Sequence, residues 1–438
     1  MSHRAGSFLL NKRIYTKEAF SLKEDVIIVG IIDKSRKDSR FDASIEELRA
    51  LVDTAGGTVV ELFTQERYSP HRSTYLGKGK IEELYEKAEE LNVDTIIFND
   101  ELSSSQVKHL TDELDRKVMD RTQLILDIFA RRARTKEGII QVELAQMSYL
   151  LPRLSGQGQM MSRLGGGIGT RGPGETKLET DRRHIQKRMD DLKSQLKEMI
   201  SHREGYRKQR KNNYAIQYAL VGYTNAGKST IINKLTQADT MEKDELFATL
   251  DPLTRKMDIP SGLSVLITDT VGFIEDLPTT LIAAFRSTLE EVKEADVLLH
   301  VVDASHPDCH QHMKTVDKLL TELDAGAIPV LTIYNKIDQV TDTELLTGEN
   351  SPSIRISARD DADIERLREA MEDVLKEQMQ FHKIRIPMWE GKDLSSLYES
   401  TILKKETLIE KENMLVWEGF APIDHPVNGI IKKYKTTE

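Results

Sequence analysis

The first 130 residues alternate between short apolar runs and amphipathic stretches. Runs rich in Val and Ile, which are typical of buried strands, occupy residues 25–30, 58–63 and 94–98. Between and after them, apolar side chains recur at three- and four-residue spacing, which predicts helices at 44–54, 80–91 and 104–114. Strands that alternate with helices predict a parallel sheet with right-handed crossovers. We therefore expect an N-terminal α/β domain at residues 1–130.

The middle of the chain has a helical pattern interrupted by glycines. Residues 121–154 are predicted to be mostly helical, and 155–175 (SGQGQMMSRLGGGIGTRGPGE) contain too many glycines for a helix and predict a loop. An apolar seam on a long helix follows, formed by Leu178, Ile185, Met189, Leu192, Leu196 and Met199. A helix, a loop and a returning helix predict an antiparallel helical hairpin over residues 131–213.

The strand–helix alternation resumes at residue 214. Strands are predicted at 218–221, 263–268, 297–302, 330–334 and 353–356, with helices that begin near Lys228, Thr279, Cys309 and Asp363. This pattern predicts another α/β domain at 214–377. Residues 378–438 contain short alternating segments at 383–387, 407–411 and 414–418, and we expect a small α+β module there. The predicted fold class is a multidomain α/β protein.

Residues 222–229 (GYTNAGKS) fit the phosphate-loop pattern G-x-x-x-x-G-K-[ST]. An apolar strand precedes them and a helical pattern follows, which disfavours a chance glycine turn. The glycines allow backbone N–H groups to wrap phosphates at a helix N-terminus. Lys228 is expected to reach the β- and γ-phosphates, and the Ser229 hydroxyl is expected to bind Mg²⁺. The predicted nucleotide-binding residues here are Gly222, Tyr223, Thr224, Asn225, Ala226, Gly227, Lys228, Ser229 and Thr230.

A second motif, DTVG at residues 269–272, follows a predicted strand. Asp269 at the strand end can hold the Mg²⁺ shell, and the Gly272 N–H can meet the γ-phosphate where a side chain would obstruct close approach. Between the two motifs, Thr249 is the candidate for a threonine that binds Mg²⁺ only while the γ-phosphate is present, and Thr254 is its rival. The predicted catalytic groups are Lys228, Thr249 and Gly272, and the predicted metal ligands are Ser229, Thr249 and Asp269.

The base is predicted to be guanine from NKID at residues 335–338 and from Ser357 and Ala358. The Asp338 carboxylate can accept hydrogen bonds from guanine N1–H and the 2-amino group, whereas adenine has no N1 hydrogen. The aliphatic stem of Lys336 can lie on the base plane, and Asn335 belongs to the same motif. A backbone N–H at Ser357–Ala358 can meet guanine O6. The expected ligands are therefore GTP or GDP with Mg²⁺.

The residue after Gly272 is Phe273, at a position where many GTPases have a glutamine that orients the attacking water. A phenylalanine side chain can neither donate nor accept that hydrogen bond. We therefore hypothesise slow intrinsic hydrolysis that a docked partner accelerates. A simple packing role for Phe273 is compatible with the same sequence.

Taken together, these motifs resemble the HflX family of ribosome-associated GTPases in the Obg–HflX group. Further similar segments are YLGKGK (75–80), DRTQLILDIFARRARTKEG (120–138), QVELAQ (141–146), LPRL (151–154) and GGGIGTRGPGETKLE (165–179), so that the resemblance covers nearly the whole chain. It implies a Ras-like P-loop GTPase domain and a factor that binds the large ribosomal subunit or the 70S ribosome in its GTP state. It further implies splitting or rescue of stalled ribosomes under stress, or protection of ribosomes from antibiotics.

Charge is unevenly distributed along the chain. The total is 62 Lys+Arg against 72 Asp+Glu, a net charge of −10, yet residues 131–211 contain 19 Lys+Arg and 9 Asp+Glu, a net charge of +10. Solvated helix faces explain such a block without a partner. The resemblance favours contacts with rRNA phosphates instead, with Arg153, Arg163, Arg171, Arg182 and Arg183 as candidates. A further alternative is a signalling GTPase with a protein partner, in which the apolar seam is a dimerisation coiled coil.

The composition narrows the class of protein. No run of about 18 apolar residues is present, so we expect no membrane span. The first residues lack the long apolar stretch of a secretory signal, and the one cysteine, Cys309, excludes an internal disulfide framework. We expect a cytoplasmic, monomeric protein.

Overall fold

The computed structural model describes residues 24–34, 40–154, 173–212, 214–237, 246–247, 249–274, 291–340 and 352–435. The chain divides into two compact units. The first unit extends to Met199 and includes Leu246 and Phe247, and the second contains the other described residues. The predicted multidomain α/β class is confirmed. Most of the predicted glycine-rich loop and the start of the helix predicted near Thr279 lie outside the described residues.

The first unit contains a four-stranded parallel sheet in the order β2-β1-β3-β4. Its apolar core includes Ile27, Val29, Ile96 and Phe98, so the runs at 25–30 and 94–98 are buried strands as predicted. The run at 58–63 is a strand as predicted, but it is only partly buried, and Val60 is exposed. β4 was not predicted, because four residues that begin with an exposed lysine give too short a pattern. In chain order, the elements are β1 (Glu24–Asp33), α1 (Arg40–Thr54), β2 (Gly57–Arg67), α2 (Lys78–Glu90), β3 (Thr95–Phe98), α3 (Ser104–Leu114), β4 (Lys117–Asp120), α4 (Arg121–Arg132), α5 (Lys136–Leu154) and α6 (Pro173–Asn212). The last part of α6, from Ile200, belongs to the second unit.

Helices α5 and α6 pack against each other through the predicted seam. Ile185, Met189, Leu192, Leu196 and Met199 of α6 belong to one apolar cluster with residues of α5. An ion pair of 2.8 Å between the Arg188 Nε and Glu143 Oε1 atoms borders this contact. α6 begins at Pro173, inside the predicted loop, because proline is well tolerated in the first helical turn, where its missing N–H is not needed.

The short segment Leu246–Phe247 also belongs to the first unit. The Phe247 ring is buried and meets the Phe129 ring edge-to-face, with the centroids 4.6 Å apart. The Leu246 N–H donates to Thr54 Oγ1 at 3.3 Å.

Asp120 is the centre of a buried polar network in the first unit. As the N-cap of α4, its carboxylate accepts from the Gln123 N–H at 2.9 Å, and it also accepts from the Tyr149 hydroxyl at 2.7 Å. The Arg153 guanidinium donates to Asp120 Oδ2 at 3.2 Å and to the Leu102 carbonyl at 2.6 Å, and it stacks on the Tyr149 ring. The prediction of an RNA contact at Arg153 is therefore corrected, because its guanidinium is committed to the interior.

The second unit contains a six-stranded sheet in the order β10-β9-β8-β5-β7-β6. All neighbouring pairs are parallel except β6–β7. The predicted strands are present, but the antiparallel edge strand β6 was missed because its residues LTRKMD are mostly polar and exposed. The elements are β5 (Gln217–Gly222), α7 (Lys228–Thr236), β6 (Leu253–Asp258), β7 (Ser264–Asp269), β8 (Val297–Asp303), α8 (Cys309–Glu322), β9 (Val330–Asn335), β10 (Ser353–Arg355) and α9 (Asp361–Glu377).

A small α+β module completes the second unit, as predicted. Its antiparallel sheet has the order β11-β13-β12, and two helices cover one face around the buried Trp417. The elements are β11 (Met379–Pro387), α10 (Gly391–Ser400), β12 (Ile402–Ile409), β13 (Met414–Pro422) and α11 (Val427–Tyr434). Within the described residues, no helix has the length and apolarity needed to cross a membrane.

The Asp120 network generates a stability prediction. We expect Asp120→Ala to lower the free energy of unfolding of the first unit by about 3–5 kcal/mol, because it leaves the partly buried Arg153 guanidinium without its carboxylate and removes a helix cap. Hydrogen exchange read by mass spectrometry on peptides from residues 95–154 measures the loss. Both tryptophans, Trp389 and Trp417, lie in the C-terminal module, so their fluorescence reports separately on the second unit.

The matched control is Asp112→Ala, the same chemical change at an exposed position of α3. It should leave hydrogen exchange unchanged, since surface substitutions away from such networks usually have small effects. Equal protection in Asp120→Ala and in the control would contradict the assigned role of Asp120.

Candidate nucleotide site

The predicted motifs meet at one edge of the six-stranded sheet. β5, β7, β8 and β9 are mutually parallel, so their carboxyl ends lie along the same edge. Ligands of open α/β sheets bind at this edge. Each strand there ends in a polar or glycine residue: Gly222, Asp269 and Asn335 of the predicted site, and Asp303, which was not predicted.

The phosphate loop connects β5 to the N-terminus of α7. Gly227 is its last residue before the helix and has a φ of +98°, a left-handed conformation that favours glycine. A Cβ atom at Gly227 would collide with the side-chain amide of Asn335. The loop therefore requires a glycine at this position, because any other residue would be strained by the positive φ and would collide with Asn335.

Lys228 is buried within the loop. Its Nζ donates to the carbonyl oxygens of Gly222 at 3.0 Å and Tyr223 at 2.7 Å. Burial lowers the pKa of Lys228 to about 8, against the opposing charge of Asp269. A phosphate that entered the loop would offer this ammonium group a charged partner in place of two neutral carbonyls.

Three predicted metal ligands lie together. Asp269 Oδ2 accepts from Thr249 Oγ1 at 2.7 Å and from Ser229 Oγ at 3.1 Å, and the two hydroxyl oxygens are 2.9 Å apart. Asp269 Oδ1 is buried and has no hydrogen-bond partner, which leaves an acceptor available for a cation. Burial raises the pKa of Asp269, while Lys228, Thr249 and Ser229 oppose that shift.

This oxygen cluster fits Mg²⁺, which binds through one or two carboxylates together with substrate phosphates. The rival threonine, Thr254, lies on β6, and its hydroxyl is hydrogen-bonded to Thr268 at 2.9 Å instead. Among the described residues, no group of three or more His, Cys, Asp or Glu side chains could form an all-protein metal site.

The segment after Asp269 is tied to the phosphate loop through its backbone. The Phe273 N–H donates to the Gly222 carbonyl at 3.1 Å, and the Phe273 carbonyl accepts from the Thr224 N–H at 2.7 Å. A Cβ atom at Gly272 would lie 2.8 Å from Thr224 Cγ2 and 3.1 Å from Lys228 Nζ, so a side chain there would obstruct the loop. The Phe273 ring is buried, which matches the packing role.

Asn335 links two loops of the predicted base site. Its Nδ2 donates to the Ala226 carbonyl at 2.9 Å, and its Oδ1 accepts from the Ala358 N–H at 3.0 Å. The Ser357 N–H donates to Asp363 Oδ2 at 2.7 Å. Both backbone donors predicted for guanine O6 are thus engaged with side chains here, and the O6 contact stays a prediction.

Asp338 is exposed in a single 3₁₀ turn, Ile337–Gln339, where its carboxylate is open to a ligand. Lys336 precedes this turn with a φ of +62°, and its Nζ forms a 2.7 Å ion pair with Asp303 Oδ2. Asp303 Oδ1 accepts from both the N–H and the hydroxyl of Ser305, at 3.0 and 2.6 Å.

Asp303 was not predicted, although its signal is the same as that of Asp269: an acidic residue directly after an apolar run. An aromatic contact of the phosphate loop was not predicted either. The Tyr223 ring stacks on His312 at 3.7 Å, and His306 lies beside His312 at 4.4 Å. Burial and then the neighbouring His306 lower the pKa of His312 to about 4, so it stacks as a neutral ring.

Of the remaining RNA candidates, Arg182 and Arg183 are exposed on α6. Arg163 and Arg171 lie outside the described residues.

Comparisons with known proteins agree with this site. Residues 217–336 match a family described as 50S ribosome-binding GTPase, and residues 42–130 and 132–210 match the N-terminal and middle regions of a GTP-binding GTPase family. A protein named GTPase HflX from Alkalihalophilus pseudofirmus is 56% identical over 91% of this chain and 94% of its own length. The Escherichia coli (strain K12) protein of that name is 39% identical over 90% and 92%.

Among solved structures, one described as the crystal structure of SsGBP and GDP complex aligns with a TM-score of 0.47 and 24% identity, over 81% of this chain and 98% of its own. The two HflX proteins support the family assignment, because the sequence similarity extends over nearly the full length of both chains. The chain belongs to the HflX family of GTPases.

Proposed function

We propose that this GTPase binds the large ribosomal subunit in its GTP state and splits or rescues stalled ribosomes under stress, hydrolysing GTP to GDP and phosphate. The single observation that carries the nucleotide part is the convergence of Lys228, the Asp269 oxygen cluster and the Asn335-linked loops at one sheet edge. The ribosomal part is supported by the net charge of +10 on residues 131–211, here called the basic arm, and by the description of the matching family.

Each of the predicted site residues has a role in the attack of water on the γ-phosphate of GTP. Lys228 neutralises the β- and γ-phosphate charge, the Gly272 N–H meets the γ-phosphate, and Asp338 selects guanine. Ser229, Thr249 and Asp269 would hold Mg²⁺, which supplies further charge neutralisation at the phosphates when bound.

Phe273 supports stimulation by a partner. Its ring is buried and its backbone is hydrogen-bonded to the phosphate loop, so it offers no polar group to a water molecule. Positioning of the attacking water would then come from a group that the docked partner supplies, as in GTPases whose activators complete the site.

The basic arm supports RNA as the partner surface. Arg182 and Arg183 are exposed on α6, where phosphate contacts give sequence-independent affinity. The alternative of a signalling GTPase that dimerises through the seam is disfavoured, because Met189 and Leu192 are buried against α5 within the same chain. Protection of ribosomes from antibiotics remains an alternative use of the same binding.

The base site generates a specificity prediction. Asp338→Asn should weaken GTP binding and improve XTP binding, changing the affinity ratio by a factor of about 100 or more. The amide nitrogen would donate to the 2-oxo group of xanthine but would face the 2-amino group of guanine. Competition binding with a fluorescent GDP measures both affinities, and Asp361→Asn, a carboxamide change at an exposed helix position, is the control. An unchanged ratio of the GTP and XTP affinities in Asp338→Asn would show that Asp338 does not contact the base.

Asp303 generates a second prediction, as a residue that positions Lys336. Asp303→Ala should weaken GDP binding about tenfold, because a charge-assisted hydrogen bond that orients the Lys336 stem is lost. The control is Asp361→Ala, which breaks a 2.8 Å ion pair with Lys234 on the surface. Such exposed ion pairs contribute little to stability, so the control should bind GDP with the affinity of the unchanged protein. Equal affinities in the two variants would show that the Asp303 ion pair does not position Lys336.

The ribosomal proposal predicts nucleotide-dependent sedimentation. The full chain should migrate with the large subunit on a gradient when a non-hydrolysable GTP analogue is present, and much less with GDP. Repetition with 70S ribosomes, with and without an antibiotic, separates splitting from protection. Failure to co-migrate in both nucleotide states would reject the ribosomal proposal and favour a protein partner.

The same gradients test the arm. Arg182→Gln/Arg183→Gln should weaken co-migration, and its salt dependence should become shallower by about one unit of slope for each lost phosphate contact. The matched control is Lys314→Gln/Lys318→Gln, an equal loss of charge on the exposed face of α8. Equal behaviour of the two variants would mean that the arm is only a solvated helix.

A further inference from the structure

The C-terminal module has a sheet face that its own helices do not cover. Antiparallel partners lie on the same face, and Ile384, Ile386 and Trp417 point into the helix-covered core. The alternate positions therefore form the opposite face, here called the outer sheet face, which is represented by Phe381, Lys383, Arg385, Lys404, Lys405 and Glu418.

A β-bulge enriches this face in positive charge. The register of β12 shifts between Leu403 and Lys405, so that Lys405 lies opposite Glu418 while Lys404 also reaches this face. The Lys404 ammonium lies 5.4 Å from the centre of the Phe381 ring, across the central strand. A regular strand would have directed one of these two consecutive lysines to the other face.

The cations outnumber the anions. Glu418 is the sole carboxylate among the outward positions of β11, β12 and β13, and it is paired with Lys383 at 2.8 Å. The hydrogen bond from Lys383 and the charges of Lys405 and Lys404 lower the pKa of Glu418, so the carboxylate stays ionised at neutral pH. With Arg385, the outer sheet face keeps an excess of positive charge on a chain whose net charge is −10.

An aromatic ring lies within this positive surface. Phe381 is 45% exposed and lies directly opposite Phe420 on the central strand, with ring centroids 5.4 Å apart. Phe420 in turn packs on the apolar core of the GTPase sheet, which fixes its position. Phe381 is thus an exposed ring held from one side, and a purely structural role would not require that exposure.

We propose that the outer sheet face binds single-stranded RNA, with an unpaired base stacked on Phe381 and backbone phosphates on Lys404, Lys405 and Arg385. Positive charge alone would suit any polyanion, but the exposed ring among the lysines favours a polyanion that carries planar groups. Stacking on aromatic side chains together with a basic surface is a general mode of binding single strands. The proposal goes beyond the proposed function, since it requires neither nucleotide binding nor the basic arm.

The test uses the full chain with GDP and a fluorescent single-stranded RNA of about 10 nucleotides that contains 4-thiouridine. Phe381→Leu should raise the Kd about fivefold or more, because a leucine keeps apolar surface but cannot stack. Lys404→Gln/Lys405→Gln should reduce the slope of log K against log salt by about 1.4, at roughly 0.7 for each lost phosphate contact. Photocrosslinking should label peptides from residues 379–387 or 402–409.

The matched control is Lys392→Gln/Lys432→Gln, which removes the same charge from the helical layer of this module. It should keep the affinity and salt slope of the unchanged protein. Fluorescence of the buried Trp417 verifies in every variant that the module is folded.

Crosslinks confined to other parts of the chain, or an unchanged Kd in a folded Phe381→Leu variant, would overturn the proposal. If the lysine variant lost affinity for an acidic protein while RNA produced no crosslink, the outer sheet face would be a protein-binding surface instead. Failure of ribosomal co-migration would leave the proposal standing, because the RNA assay is independent of it.

Discussion

The nucleotide site depends above all on the side-chain amide of Asn335. This buried group can neither reach water nor be left without partners at low energetic cost, so its position is fixed by the Ala226 carbonyl on one side and the Ala358 N–H on the other. Those two contacts fix the phosphate loop and the loop after β10 in position relative to Asn335 and to each other. Gly227 must then be a glycine, since the amide occupies the space of its Cβ.

Sequence patterns predicted the elements and the motifs at their ends because both signals are local. An apolar run followed by DTVG or NKID identifies a strand and its polar carboxyl end, and Thr249, Ser229 and Asp269 do lie together. Contacts between distant segments left no such signal. The pairing of Lys336 with Asp303 and the commitment of Arg153 to Asp120 depend on how strands and helices are arranged in space. β4 and β6 were missed because short or polar strands lack periodicity.

The distribution of charge matters more than its total. A net charge of −10 alone would argue against any nucleic-acid partner, yet the arm and the outer sheet face concentrate positive charge in two places. An acidic remainder repels polyanions elsewhere, which limits non-specific attachment. Arg153 shows the limit of counting charges along the sequence, because an arginine that is partly buried and paired with an interior carboxylate contributes little to the surface potential.

The oxygen cluster of Ser229, Thr249 and Asp269 also indicates how metal binding would depend on the bound nucleotide. One carboxylate and two neutral hydroxyls provide too little negative charge to bind a divalent cation strongly by themselves. The phosphates would supply the missing charge, so we expect metal and nucleotide to bind together. Thr249 would contribute a neutral hydroxyl from a loop, so we expect it to be the metal ligand that is easiest to release. Loss of the γ-phosphate would weaken the attraction at this residue first, while Ser229 stays fixed by the helix that follows the phosphate loop.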